Sequence, residues 1–355
     1  MKIKYAGAVL YLCFSLSTQA IAQSAVREEL LILSKRAQTL AIVDPFDLKV
    51  IARVPVGNDP HEVIASADGK TAYVSNYGFG AFNTLTPVDL VQQAALPAID
   101  LGALRGPHGL AFAGGKVWFT AEAAKAIGSY DPAANKVDWI LGTGQNRTHM
   151  IFVSQDLQRI VTTNVSSATV SLIEKSKNQR PAGPPPAMPN SGNTPQHGGP
   201  RGAPGGDWDE TVIPVGNGSE GFDVSLDGRE IWVANAQDGT VSIISKAKKS
   251  VIQTLAADVK GANRLKFTPD GKMVLISSLG GSGLTIFDAA TRKEIKRLNI
   301  GHGAAGIVMQ PDGSRAFVAC TPDDYVAVID LKLLEVAGRV DAGPEPDGLA
   351  WSIRR

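Results

Sequence analysis

Histidine and carboxylate residues are the ones in this chain best placed to do chemistry. Three of the five histidines, His61, His108 and His149, fall on one position of an internal repeat. Glu220, Asn263, Ala305 and Asp347 hold that position in the other copies. His302 lies in the same loop as Ala305, three residues earlier, and only His197 falls elsewhere. With His61, His108, His149 and Glu220 as ligands, such a convergence can bind Zn²⁺, Cu²⁺ or a similar divalent ion. An ion held there could polarise a carbonyl or activate water. Without metal, a histidine near Glu220 or Asp347 could act as a general base. Asn76, Asn164, Asn235, Glu122, Arg147 and Arg264 are expected around the same point, which suits a polar or anionic ligand. The candidate ligand-binding set is thus His61, His108, His149, Glu220, Asn263, Asp347, Asn76, Arg147 and Arg264. A plainer alternative stands beside it. The imidazoles could hydrogen-bond a neighbouring loop, each asparagine could cap the loop at a strand end, and Cys320 could be a buried, inert thiol.

The elements that must position these residues repeat throughout the chain. The unit is an apolar strand, an Asp-Gly turn, a second strand ending in Asn or Ser, and a third ending in Asp. Its clearest copy runs from Gly221 through Asp227-Gly228 to Asn235 and then Thr240 to Ser245. Third-strand ends fall on Asp44, Asp89, Asp131, Glu174, Ser245, Asp288 and Asp330, with gaps of 45, 42, 43, 71, 43 and 42. Second-strand ends fall in step on Ser34, Asn76, Ala121, Asn164, Asn235, Ser278 and Cys320. Alternating apolar and polar residues predict half-buried antiparallel strands. Asp68-Gly69, Asp227-Gly228, Asp270-Gly271 and Asp312-Gly313 supply turns that need positive φ. Four strands in ~43 residues match one propeller blade. Arg27 to Val56 lacks a first strand, and Pro346 to Ser352 reads as a first strand with nothing after it. The two ends therefore complete one blade, which predicts an all-β, seven-bladed propeller of four-stranded antiparallel blades without open edges.

Two segments stand apart from the repeat. The long gap arises from 178–207, rich in proline and glycine, a composition expected to stay disordered or extended. It reads as a tolerated insertion between a third and a fourth strand, or as a docking segment for a partner. Residues 1–22 read as a signal peptide: Lys2 and Lys4, an apolar run from Ala8 to Leu16, and Ala20-Ile21-Ala22 at the cleavage site. The remainder, 23–355, is expected to be a periplasmic or secreted monomer without a membrane span. Cleavage would remove Cys13 and leave Cys320 alone, so no internal disulfide is possible. Lysine and arginine total 35 against 34 acidic residues, which gives no electrostatic footprint for nucleic acid. No Cys-x-x-Cys-His occurs, which excludes a covalent c-type haem.

The segments Thr71 to Asn76, Ile231 to Asn235 and Phe317 to Cys320 resemble the tyrosine-valine-threonine-asparagine (YVTN) repeats of YncE-like seven-bladed propellers. That resemblance implies the fold and leaves the function open, because the scaffold hosts binders, lyases, lactonases and redox enzymes. Blade three, from Gly106 to Pro132, also resembles a blade of the streptogramin lyases, which open a cyclic ester with histidine, glutamate and Mg²⁺. The match ends there, since Gly198 to Gly301 contains no histidine. The sequence favours an exported binding module whose funnel takes a small polar ligand or a protein partner. Its alternative is a metal-dependent lyase or lactonase using the histidine-carboxylate ring. No cofactor is required by the first reading, and a divalent ion by the second. A third possibility is a surface or adhesion propeller acting through 178–207.

Overall fold

The computed structural model describes residues 26–176, 208–281 and 283–355. The signal peptide expected at 1–22, the Pro/Gly-rich segment expected at 178–207 and His197 lie outside the described residues. Seven antiparallel sheets succeed one another along the chain, with first strands at Pro60–Ala65, Pro107–Ala113, Thr148–Val153, Ser219–Val224, Ala262–Phe267 and Ala304–Met309 for blades 2 to 7. Blade 1 is shared between the ends: Pro346–Arg354 pairs antiparallel with Arg27–Ser34, aligning Arg27 with Arg354 and Leu30 with Trp351. A buried carboxylate helps to close it, as Glu29 lies 2.7 Å from Arg27 Nε and 3.6 Å from an Arg354 guanidinium nitrogen. In blade 2 the outer strand is broken into Ala94–Ala95 and Ile99–Asp100. Pro97 lies in the break and has no N–H to donate to a ladder.

The repeated residues have visible mechanical roles. Asp68 Oδ1 accepts the Ser66 hydroxyl at 2.6 Å and the Lys70 N–H at 3.1 Å, while Gly69 takes φ +66°. That conformation favours glycine, and Ile353 O lies 2.3 Å from where a Cβ would stand. At the ends of third strands, Asp44, Asp89, Asp131, Asp288 and Asp330 accept N–H groups two or three residues onward. These Asx turns start the hairpin into each outer strand. Each second strand ends on the residue expected from the register, from Ser34 and Asn76 to Cys320.

Apolar burial follows the same plan. The seven hydrophobic clusters among the described residues each lie between two neighbouring blades. One joins Leu275 and Ile286 of blade 6 to Val318 and Ile329 of blade 7. Another joins Leu31 and Ile42 of blade 1 to Val63 and Val74 of blade 2. Each blade is thus stabilised by both neighbours, and the ring fixes where the seven first strands meet at its centre. No helix among the described residues is long and apolar enough to cross a membrane.

Candidate functional site

The first strand of every blade opens with the same irregularity. In blade 2, Pro60 pairs with Asn76, the ladder then slips, and pairing resumes at Val63 with Val74. His61 and Glu62 therefore face the single residue Ser75. The slip recurs in all seven blades. A bulge of this kind frees a residue from the ladder and re-aims its side chain. The freed residue is His61, His108, His149, Glu220, Asn263, Ala305 or Asp347, the position singled out in the sequence.

In blades 2, 3, 4 and 6 a hydroxyl repairs the backbone that the bulge exposes. Ser75 Oγ accepts the Glu62 N–H and donates to His108 O, both at 3.0 Å. Thr120 accepts the Gly109 N–H at 2.9 Å and donates to His149 O at 2.7 Å. Thr163 accepts the Met150 N–H at 3.3 Å and donates to Glu220 O at 2.8 Å. Each relay ties one blade's bulge to the next and fixes a residue of the site. Close approach fixes them further: a Cβ on Gly109 would stand 2.5 Å from His149 O. The hydroxyl signal was present in the sequence, as the penultimate residue of the second strand, but its purpose depends on the ring.

The imidazoles of blades 2, 3 and 4 form a column. Ring centroids of His61 and His108 are 4.4 Å apart, and those of His108 and His149 are 3.7 Å apart. Tyr77 packs edge-on against His108 at 5.0 Å and donates its hydroxyl to Glu122. His149 donates from Nδ1 to the other oxygen of Glu122 at 2.5 Å. Its Nε2 lies 2.7 Å from Glu220 Oε2, close in distance but not aligned as a hydrogen bond. Arg147 reaches both carboxylates, at 3.7 Å from Glu122 and 3.3 Å from Glu220.

Burial and charge set the protonation of this group. Burial pushes His108 well below the usual histidine range, reinforced by the neighbouring imidazoles. Burial also opposes a charge on His149, yet Glu220 and Glu122 on its two nitrogens hold its pKa above the ordinary value. Burial would raise Glu220, but His149 and the guanidinium of Arg147 bring it down to about 2. His108 is fully buried, and neither of its ring nitrogens has a hydrogen-bond partner. Two orphaned nitrogens on one buried ring are costly unless something binds there. Candidate ligand atoms of His108, Glu122 and His149 all lie within 4.8 Å of one another, a geometry compatible with one divalent ion.

The remaining expected residues divide. Asp347, His61 and Lys35 form a second group on the same rim, with Lys35 Nζ 3.0 Å from His61 Nδ1 and 3.2 Å from Asp347 Oδ2. Arg264 is buried and donates to Glu62 of blade 2, linking blade 6 to blade 2. Asn263 accepts an Arg264 guanidinium N–H at its backbone carbonyl, at 3.2 Å, and its side-chain Oδ1 is buried without a partner. Asn76 turns inward, donating at 2.9 Å to Thr84 and to Thr86 of its own blade. Asn164 and Asn235 donate in the same way to hydroxyls of their own third strands. The asparagines thus have the capping geometry of the plainer alternative. His302 is exposed and paired with Asp323 at 3.1 Å. Glu122 belongs to the histidine cluster more closely than His61 does, and Tyr77 and Lys35 were missed altogether. All three stand just beyond second-strand ends; the sequence placed Glu122 at the funnel but gave no cue to Tyr77 or Lys35.

The chain was compared with known proteins. No protein-family model matches it, and no curated protein matches it in sequence. Its fold is widely shared among solved structures. A candidate 6-phosphogluconolactonase from Bacteroides uniformis ATCC 8492 is 15% identical with a TM-score of 0.70, covering 91% of this chain and 99% of that one. A second candidate 6-phosphogluconolactonase, from Bacteroides fragilis NCTC 9343, is 15% identical with a TM-score of 0.67, covering 91% and 98%. A protein of unknown function from Desulfotomaculum acetoxidans DSM 771 is 12% identical with a TM-score of 0.69, covering 92% and 99%. At these identities the likeness is one of fold. It agrees with the seven-bladed propeller fold.

Proposed function

We propose that the protein opens a cyclic ester by hydrolysis, using a divalent ion held by His108, His149 and Glu122. The observation that carries this reading is His108, a wholly buried imidazole with both nitrogens unpartnered beside two further ligand groups. Charge supports it. Glu122 and Glu220 bring two carboxylates to the cluster against the one guanidinium of Arg147, which leaves room for one more positive charge, a proton on His149 or an ion in its place. The names of the two Bacteroides proteins, candidate lactonases on the same fold, point the same way without deciding it.

The roles follow from position. His149 faces Glu122 through Nδ1 and Glu220 through Nε2, so an ion shared with Glu122 would take the place of the Nδ1 proton. Glu122 is in turn held by the Tyr77 hydroxyl. Glu220 and Arg147 close the outer side of the cluster and orient a polar substrate. A bound ion would polarise the ester carbonyl and lower the pKa of a water beside it. Kinship with the YVTN repeats and export to the periplasm or beyond are part of this proposal. The first is supported by the Ser/Thr relay and asparagine caps at second-strand ends.

The test is metal analysis of purified protein, followed by pH-stat assay of a panel of cyclic esters with zinc, with manganese and with chelator. Stoichiometric metal and chelator-sensitive acid release would establish the reading. Release of an unsaturated product without acid-forming hydrolysis would convert it to a lyase. Metal-free protein that turns over nothing would return the funnel to a bare binding site.

A further inference from the structure

We propose that His61, fixed by Lys35 and Asp347, is a neutral hydrogen-bond donor to the substrate carbonyl oxygen and does not ligate the metal. The inference rests on the cyclic-ester reading and adds an oxyanion subsite to it. Lys35 Nζ lies 3.0 Å from His61 Nδ1. It is also 3.2 Å from Asp347 Oδ2 and 3.7 Å from Asp59 Oδ1, so it is placed among acceptors on three sides. An ammonium donates only, so Nδ1 must accept with its lone pair. The ring proton of the neutral imidazole therefore sits on Nε2. Asp347 Oδ2 is also 3.5 Å from Nδ1, but it is nearer to Lys35, and the shorter contact sets the tautomer.

The free nitrogen is open. Among the described residues Nε2 of His61 has no partner, and it is not one of the buried unpartnered atoms, unlike both nitrogens of His108. The side chain keeps 15% of its surface exposed. A protonated Nε2 offers no lone pair to an ion, and Nδ1 is spent on Lys35. His61 therefore leaves the ligand set expected from the sequence. Its ring still stands 4.4 Å from His108, so an oxygen accepting from Nε2–H lies beside the metal cluster.

The step balances as an ordinary hydrolysis. A water oxygen bonds to the ester carbon while the carbonyl π pair moves onto oxygen, where Nε2–H meets the growing charge. Collapse breaks the ring C–O bond. The attacking water gives one proton to solvent and the alkoxide takes one from solvent, so the open hydroxy acid is the lactone plus one water. Of these three residues only His61 touches the substrate, and Lys35 and Asp347 position it.

Three readouts test this with the intact protein. Long-range ¹⁵N–¹H spectra of the imidazoles should show His61 as the Nε2–H tautomer, and Lys35→Met should abolish that preference. Zinc titration should give His61→Gln an affinity within about threefold of wild type, whereas His108→Ala loses at least about 100-fold, because losing an outer-shell partner alone costs about 10–100-fold. With δ-valerolactone as probe, His61→Ala should lower kcat on the order of 10²-fold with little change in KM. His61→Gln, which keeps an N–H donor, should recover about tenfold of that loss. An Nδ1–H or doubly protonated His61, or zinc weakened equally by His61→Gln and His108→Ala, would overturn the assignment. If wild type binds no zinc and opens no lactone, the cyclic-ester reading fails and the donor role with it. A tautomer of the other kind with lactone opening intact would sink the donor role alone.

Discussion

Blades 3 and 7 follow the same backbone path and do opposite things with it. Both open their first strand with the bulge. In blade 3 the freed residue is His108, the residue facing the bulge is Thr120, and Glu122 follows the second strand. In blade 7 the corresponding residues are Ala305, Ala319 and Thr321. Thr120 donates to the next blade's site residue, whereas Thr321 only secures Pro346 O at 2.8 Å. Ala305 and Ala319 both join the apolar cluster against blade 1. The bulge is therefore a socket repeated sevenfold, and among the described residues candidate ligands come together only where neighbouring sockets hold imidazole and carboxylate groups.

The largest expected effect breaks the contrast at its centre. His108→Ala should lower divalent-ion affinity at least about 100-fold by isothermal titration, because losing an outer-shell partner alone costs about 10–100-fold. Ala305→His puts an imidazole in blade 7 and should create no second site, because Thr321 stands where blade 3 has Glu122. A second bound equivalent in Ala305→His would show that the socket alone suffices. Next in size is the relay. Thr120→Val keeps the shape but leaves the Gly109 N–H and His149 C=O buried without partners. Such a loss costs about 1–3 kcal/mol, read as a drop in urea midpoint. An unchanged midpoint would mean that the hydroxyl merely fills space.

How much of this contrast was legible in the sequence depends on which distance set it. The sevenfold register, the split blade and the shared position of His61, His108 and His149 all arise within one repeat, where periodicity reports them. The bulge leaves no composition signature, since Pro60, Thr148 and Ala304 all precede it. Tyr77 comes from a loop that the register ends before reaching, and Glu122 was expected near the funnel but not among the metal ligands. Arg264 and Glu62 meet across 202 residues, a pairing that only ring closure creates. Asn76 was weighed as ligand and as cap, and its bonds to Thr84 and Thr86 have the geometry of a cap.

Protonation offers a smaller lever on the filled side. Glu220 is held at about 2 against an ordinary 4.5, chiefly because His149 and Arg147 outweigh its burial. A depressed carboxylate contributes stability that is present above pH 4.5 and is lost as pH falls toward 2. In metal-free protein, wild type should therefore exceed Glu220→Gln in urea midpoint near pH 6, and the gap should close on acidification toward pH 2. A gap that is constant with pH would mean that Glu220 acts through packing and not through charge.

The smallest effect belongs to the empty side. Cys320 is fully buried between blades 6 and 7, with its Sγ 3.3 Å from Ile300 O. Burial lifts its thiol to about 11, so almost no thiolate exists at neutral pH. A disulfide reagent should label the native protein only as fast as it unfolds, and full labelling should require denaturant. Cys320→Ala should leave zinc affinity unchanged and cost about 1 kcal/mol, the usual scale for a single substitution. Rapid labelling of native protein would mean that blade 7 opens locally, and its socket would then be mobile as well as empty. A rigid blade 7 instead makes its alanines a wall, against which the polar side of the ring keeps its ligating groups in register.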